Sequence, residues 1–379
     1  MQVIASCGLV ESSNLRLCTS LKSGSVRAFS PCWPLHDKGK GGCIVTSERE
    51  EACADRMAVH EYSGRFVAPE IEAALDRRFI VGSEIAVGGQ GAVFRATRIA
   101  QPDGTAVNDV VAVKLHLHPN QDIRIQREIA AMQNVSHPNL ARLIEHGWCD
   151  MAGRRMRYIV SEWIEGQPLS VQLKNGPLLE SEVLAIGRDI SAAIAEIWSR
   201  RIVHGDVKPA NIMLRGTGGY MMLGSVDSAV LIDFGGARYL NQEDTRATLR
   251  PCRFLDQDDT ADALKPFATR GYFSPEQIKG ARALSCASDV FSLGVVMLQC
   301  LLGWHPTGYD PEALADGIQA SGGRLAASAG LLYTLDKMLS ARPTFRPDPA
   351  ELSRRFQSLW QTKQTALTMG ARPPTKAQD

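Results

Sequence analysis

Ile202-Val203-His204-Gly205-Asp206-Val207-Lys208-Pro209-Ala210-Asn211, followed downstream by Asp233-Phe234-Gly235, concentrates more chemistry than any other part of this 379-residue chain. It sets two carboxylates, an amide and an ammonium within a short span. Asp206 can take a proton from an incoming hydroxyl. Lys208, two residues on in an extended loop, points the same way and suits a transferring phosphoryl group whose charge must be neutralised. Asn211 and Asp233 offer hard oxygen ligands of the kind that Mg²⁺ prefers. The apolar runs Ile212-Met213-Leu214 and Ala229-Val230-Leu231-Ile232 read as short buried strands that hold these groups rigidly.

Upstream, Glu84-Ile85-Ala86-Val87-Gly88-Gly89-Gln90-Gly91-Ala92-Val93-Phe94 reads as strand, glycine turn, strand. Glycines let backbone amides approach phosphate oxygens with no Cβ in the way. Val110-Val111-Ala112-Val113-Lys114 is a β-branched run ending in a lysine. Ile125, Glu128, Ile129 and Met132 recur at helical spacing, which turns Glu128 inward. A carboxylate is rarely buried alone, so an ion pair between Glu128 and Lys114 is expected. Tyr158-Ile159-Val160 reads as a strand running into Ser161-Glu162-Trp163-Ile164, and the stripe Val183, Ile186, Ile190, Ile194 and Ile197 as helical core.

Asp-x-Lys-Pro-x-Asn at 206–211 and Asp-Phe-Gly at 233–235 resemble the catalytic and metal-binding loops of the eukaryotic-type (Hanks-type) Ser/Thr protein kinases. The resemblance covers about 79–359. It implies an α+β, two-lobed fold: a small antiparallel β lobe with one main helix (about 79–162) and a larger, mostly helical lobe (about 163–359). It also implies ATP and Mg²⁺ as cofactors and a protein substrate with a Ser or Thr acceptor. Gly88, Gly89 and Gly91 would cover the phosphates, Ile85 and Val93 the adenine, with Ala112 and Met213 also lining the nucleotide. Glu162 and Ile164 would bond the adenine edge through their backbones. Lys114, held by Glu128, would grip the α- and β-phosphates; Asn211 and Asp233 would carry the metal, Asp206 would orient or deprotonate the acceptor, and Lys208 would stabilise the γ-phosphoryl. Ala268-Thr269-Arg270-Gly271-Tyr272-Phe273-Ser274-Pro275-Glu276 resembles the end of the activation segment, where Thr269 would contact Asp206 and Lys208. Asp289 would bond backbone amides of the catalytic loop, and Arg346 would pair with Glu276.

The chain departs from the pattern at Ala86, which replaces the first glycine of the loop, and at Gly205, which replaces the usual arginine before the catalytic aspartate. Without that arginine, activation-segment phosphate loses its charge partner, and no requirement for phosphorylation there is expected. His-Gly-Asp also occurs in small-molecule phosphotransferases of the aminoglycoside and choline type. Lys208, Thr269, Glu276 and Arg346 favour a protein substrate instead. A pseudokinase scaffold is the non-enzymatic alternative, and it normally shows a loss among Lys114, Glu128, Asp206, Lys208, Asn211 and Asp233.

The composition agrees with an ordinary globular protein: 44% hydrophobic and 22% charged. A formal net charge of +1 gives no electrostatic case for nucleic acid or a membrane surface. No apolar run reaches the roughly 20 residues needed to span a bilayer, and oligomeric state is left open. Nine cysteines without a Cys-x-x-Cys pair indicate reduced thiols and a cytoplasmic location over organelle targeting. Residues 1–65 read as a disordered leader, or as a start called too early with Met57 the true beginning; 360–379 read as a disordered tail. Gly216-Thr217-Gly218-Gly219 suggests a flexible hairpin tip, and Asp256, Asp258, Asp259 and Asp262 a solvated acidic loop.

Overall fold

A computed structural model describes residues 67–88, 91–116, 122–151, 153–216, 228–240, 270–279, 284–306 and 327–370. Its N-terminal part is a five-stranded antiparallel sheet in the order β1-β2-β3-β5-β4, with β1 Phe79–Gly88, β2 Gly91–Ala100, β3 Ala106–His116, β4 Leu143–Met151 and β5 Arg154–Glu162. Period-two alternation assigns the two faces. Phe94, Val111, Val113, Met156 and Val160 turn to one side and form the core of this lobe. Ala112, Lys114 and Ile159 turn to the other, where Lys114 stands opposite Ile159 and Ala112 opposite Ser161 in the β3–β5 register. One helix precedes the sheet, α1 (Ala68–Ala74), and one interrupts it, α2 (Asp122–Asn134). Ile125, Ile129 and Met132 on α2 are buried in the core of the second lobe rather than that of the sheet, so α2 fastens the two lobes together.

The second lobe is mostly helical: α3 (Glu180–Ser199), α4 (Pro275–Lys279), α5 (Cys286–Leu302), α6 (Ala329–Met338) and α7 (Pro349–Gly370). The expected stripe on α3 is buried throughout, and each such aliphatic side chain contributes about 1.5–3 kcal/mol. α5 is apolar on nearly every face and lies at the centre of the lobe. The short strand β6 (Gly166–Pro168) precedes α3, and between α3 and α4 run β7 (Ile202–Val203), β8 (Ile212–Arg215), β9 (Ser228–Leu231) and β10 (Arg238–Tyr239). β8 and β9 pair antiparallel, Ile212 with Leu231 and Met213 with Val230, while β10 pairs with β7. These two pairings bring 206–211 and 233–235, far apart in sequence, side by side.

Two boundaries differ from the sequence reading. Ordered structure begins upstream of Phe79, because α1 inserts Ile71, and the turn after it Leu75, into the sheet core. Glu72 on α1 accepts the Val81 amide at 2.8 Å, and Arg78 pairs with Glu145 at 2.9 Å. The chain also stays helical past Trp360, where disorder was expected. Trp360 lies under the Arg188 guanidinium, and Lys363 reaches Glu180 at 2.6 Å, so the polar end of α7 is tied to α3. The leader 1–65, the hairpin tip beyond Gly216, the acidic loop with Thr269, and 371–379 lie outside the described residues. Among the described residues no helix is long and apolar enough to cross a membrane.

Candidate active site

The site is built where β3 and α2 of the first lobe face the β7–β10 segment of the second. Lys114 Nζ lies 2.7 Å from Glu128 Oε1 and 2.8 Å from Asp233 Oδ1, so one ammonium joins both lobes. Glu128 is 3% exposed. Burial alone would depress the Lys114 pKa, but the Asp233 and Glu128 carboxylates outweigh it and hold the lysine above its ordinary value. Burial would likewise raise Asp233; the adjacent Lys114 reverses this and keeps the carboxyl well below its ordinary range. Burial raises the Glu128 pKa against the pull of Lys114, and the nearby Asp233 carboxylate adds to the rise. The buried His116 ring reaches to 4.0 Å from the other oxygen of Glu128.

Asp233 adopts a left-handed backbone, φ 65° and ψ 89°, rare for a residue with a side chain. Its Oδ1 accepts the Gly235 amide at 3.2 Å, a local bond that favours the turn. Opposite, Asp206 is 9% exposed and receives Lys208 Nζ at 2.7 Å. Burial raises its pKa, with Lys208 acting against the rise. Asn211 Nδ2 donates to Asp206 O at 2.9 Å and to Asp206 Oδ2 at 3.1 Å, locking the amide beside the carboxylate. Asp289 on α5, 2% exposed, accepts the His204 and Gly205 amides at 2.8 Å each, the loop-supporting role expected of it.

The donor set fits a hard divalent cation. Asn211 commits its NH₂ group to Asp206, which leaves its carbonyl oxygen to face a cation, and Asp233 commits Oδ1 to Lys114 and Gly235, which leaves Oδ2. Above this acidic floor, Gly91 has φ +152°, and a Cβ there would fall 2.0 Å from Leu115 O, so the strand after the glycine turn admits no other residue. Ile85 sits at a break in the β1–β2 register and is 51% exposed; Val93, Ala112 and Met213 are half-buried. Gly88 ends β1, and Gly89 lies outside the described residues. Ile164 is buried, and the Glu162 amide is engaged by Arg142 O at 3.0 Å.

Below the site, Arg346 meets Glu276 at 2.6 and 3.0 Å in the two-pronged pair expected from the sequence. Two features escaped that reading. Arg124 Nε donates to Gly235 O at 2.7 Å. Gly205 has φ +74°, and a Cβ there would meet Gly236 O at 2.7 Å, so the two loops touch backbone to backbone. Arg124 stands one helical turn before Glu128, a spacing that places both on one face, and that was the available signal.

The protein kinase domain family matches residues 79–352. A probable serine/threonine-protein kinase of Corynebacterium efficiens is 31% identical over 240 residues, 63% of this chain and 33% of that protein. The serine/threonine-protein kinase PknB of Mycobacterium tuberculosis is 28% identical over 280 residues, 72% of this chain and 41% of that protein. The serine/threonine-protein kinase PknA of a Nostoc species is 28% identical over 283 residues, covering 73% and 46% respectively. The chain thus spans about a third to a half of the length of these relatives.

Proposed function

The chain belongs to the protein kinase domain family, and from that premise we propose that it is an ATP- and Mg²⁺-dependent kinase transferring the γ-phosphoryl group to Ser or Thr hydroxyls of proteins. The observation that carries this reading is Lys114, whose ammonium lies within 2.8 Å of carboxylates from both lobes. That arrangement supports a reading in which one cation and two oxygen donors serve the same nucleotide. Lys114, positioned by Glu128, binds the α- and β-phosphates, and the amides of the Gly88–Gly91 turn cover the remaining oxygens. Ile85, Val93, Ala112 and Met213 offer apolar contact to the adenine. Ile164 and the carbonyl of Glu162 offer its edge hydrogen bonds, since the Glu162 amide is already engaged.

Asn211 and Asp233 would hold Mg²⁺, which when bound neutralises charge on the phosphate oxygens. Asp206 accepts the proton of the acceptor hydroxyl as its oxygen bonds to the γ-phosphorus. The bond from that phosphorus to the bridging oxygen breaks, and ADP leaves. Lys208 stays beside Asp206 and stabilises charge on the phosphoryl group in transit. Lys208 and the Glu276–Arg346 pair favour a protein acceptor over a small molecule. A cytoplasmic location is proposed on the sequence pattern alone, nine cysteines with no Cys-x-x-Cys pair. Asp233→Ala is expected to reduce ³²P transfer from ATP to the background of a no-enzyme control; retained transfer would overturn the assignment.

A further inference from the structure

Helix α2 and the Asp233-Phe234-Gly235 turn are joined by a closed circuit of contacts. Arg124 Nε donates to Gly235 O at 2.7 Å, and the Gly235 amide donates to Asp233 Oδ1 at 3.2 Å. The same Asp233 oxygen receives Lys114 Nζ at 2.8 Å, and Lys114 returns to α2 through Glu128 at 2.7 Å. Arg124 and Glu128, one turn apart on α2, close the loop. At its far end the helix is tied again: Asn134 Nδ2 donates to Tyr239 OH at 3.1 Å, on the strand that follows the turn. All of these links are made by the protein's own groups.

We infer that Arg124 is a positioning residue for the metal-bearing turn: by holding Gly235 against α2 through its carbonyl, it orients the Asp233 carboxylate and couples that orientation to the grip of Glu128 on Lys114. This rests on the reading that Asp233 and Asn211 hold Mg²⁺. Gly235 carries both contacts in adjacent peptide groups: its carbonyl is gripped by Arg124, and its N–H, in the peptide shared with Phe234, donates to Asp233 Oδ1. Anchoring the carbonyl holds the Gly235 Cα from which that N–H is placed. A guanidinium donor on a carbonyl is among the stronger hydrogen bonds, because the donor is charged.

The test uses the full chain and binding of the fluorescent nucleotide mant-ATP, measured with Mg²⁺ and with EDTA. Arg124→Met keeps the length and apolar stem and removes the donor. It is expected to weaken Mg²⁺-supported binding about tenfold, as the loss of one charge-assisted hydrogen bond would, and binding in EDTA by less than about threefold, with the melting temperature of the free protein nearly unchanged. Because the contacts form one circuit, Arg124→Met combined with Glu128→Gln should bind no worse than Glu128→Gln alone, to within about twofold; independent effects would multiply. Equal losses with and without Mg²⁺, or multiplying effects, would overturn the inference. Should Arg124→Met fail to fold, Arg124→Lys, which keeps the charge and loses the Nε donor, carries the same comparison. Asp233→Ala separates the two levels. If Asp233→Ala abolishes the Mg²⁺ dependence while Arg124→Met does not alter it, only the role of Arg124 fails; if Asp233→Ala retains the dependence, the metal assignment fails first.

Discussion

Replacing Arg346 by Met tests what holds the helical lobe under the site. Arg346 is fully buried in its side chain; it meets Glu276 with two bonds at 2.6 and 3.0 Å and donates to Ala287 O and Ser340 O at 2.9 Å each. Glu276 also accepts Ser288 Oγ at 3.0 Å. Met fills most of the volume of the arginine stem, so the change removes charge and donors with little cavity. A buried carboxylate without a counter-charge then remains, and breaking such a pair costs about 3–5 kcal/mol. At about 2–4 °C per kcal/mol for a domain near this size, the melting temperature should fall by about 6–20 °C. The loss is read by urea unfolding at pH 7.5, followed by tryptophan fluorescence. The pH dependence has a fixed sign. Burial would raise the Glu276 pKa, but Arg346 overrides it and holds the carboxyl below its ordinary value. A depressed carboxylate stabilises the fold above its unfolded pKa of about 4.3 and loses that contribution as pH falls through the folded value, so the gap between wild type and variant should narrow below about pH 4.3. Adding Glu276→Gln to Arg346→Met removes the stranded charge and should recover at least about half of the loss. A single variant within about 0.5 kcal/mol of wild type, or a double variant no better than the single, would refute the reasoning.

Two further outcomes are expected. Gly205→Ala combines a left-handed backbone, which costs about 1–2 kcal/mol, with a Cβ 2.7 Å from Gly236 O, next to the Asp233 turn. Gly104→Ala at φ +86° has nothing within 4 Å and pays the backbone cost alone; phosphoryl transfer should therefore fall at least about fivefold in the first and stay at wild type in the second, and equal rates would show that the loops need not touch. Burial pushes the Cys149 thiol up to about 11 from 9.0, about a hundredfold less thiolate at pH 8. Site-resolved mass spectrometry after iodoacetamide treatment should find Cys149 unmodified in folded protein and modified in urea; labelling of Cys149 at equal rates in both would contradict its burial.

How much was legible in the sequence depended on the range of the interaction that signals it. Lys114, Glu128, Asp206, Lys208, Asn211 and Asp233 stand in short motifs whose spacing is fixed by one strand, one helical turn or one loop, and hydrogen bonds join them in two groups, Lys114–Glu128–Asp233 and Asp206–Lys208–Asn211. The Glu276–Arg346 pair was legible for another reason: the resemblance implies that the glutamate of Ser-Pro-Glu meets the arginine of Phe345-Arg346-Pro347, and the two side chains do pair. What was missed depends on backbone or on distant partners. Gly205 looks like the loss of an arginine, and only its φ of +74° and the nearness of Gly236 show it to be a point where two loops meet. Arg124 looks like one more surface cation on a helix, because its partner is a backbone carbonyl 111 positions away, and a carbonyl has no signature in a sequence. The tail after Trp360 is polar enough to read as disordered, yet Lys363 is anchored by Glu180, 183 positions earlier. Side chains that perform chemistry are chosen for identity, so they can be read from the chain; those that position them act through peptide groups and tertiary neighbours, and only the fold reveals what they touch. On that ground Arg124, and not a further motif residue, is where the proposed positioning of the Asp233 turn is to be tested.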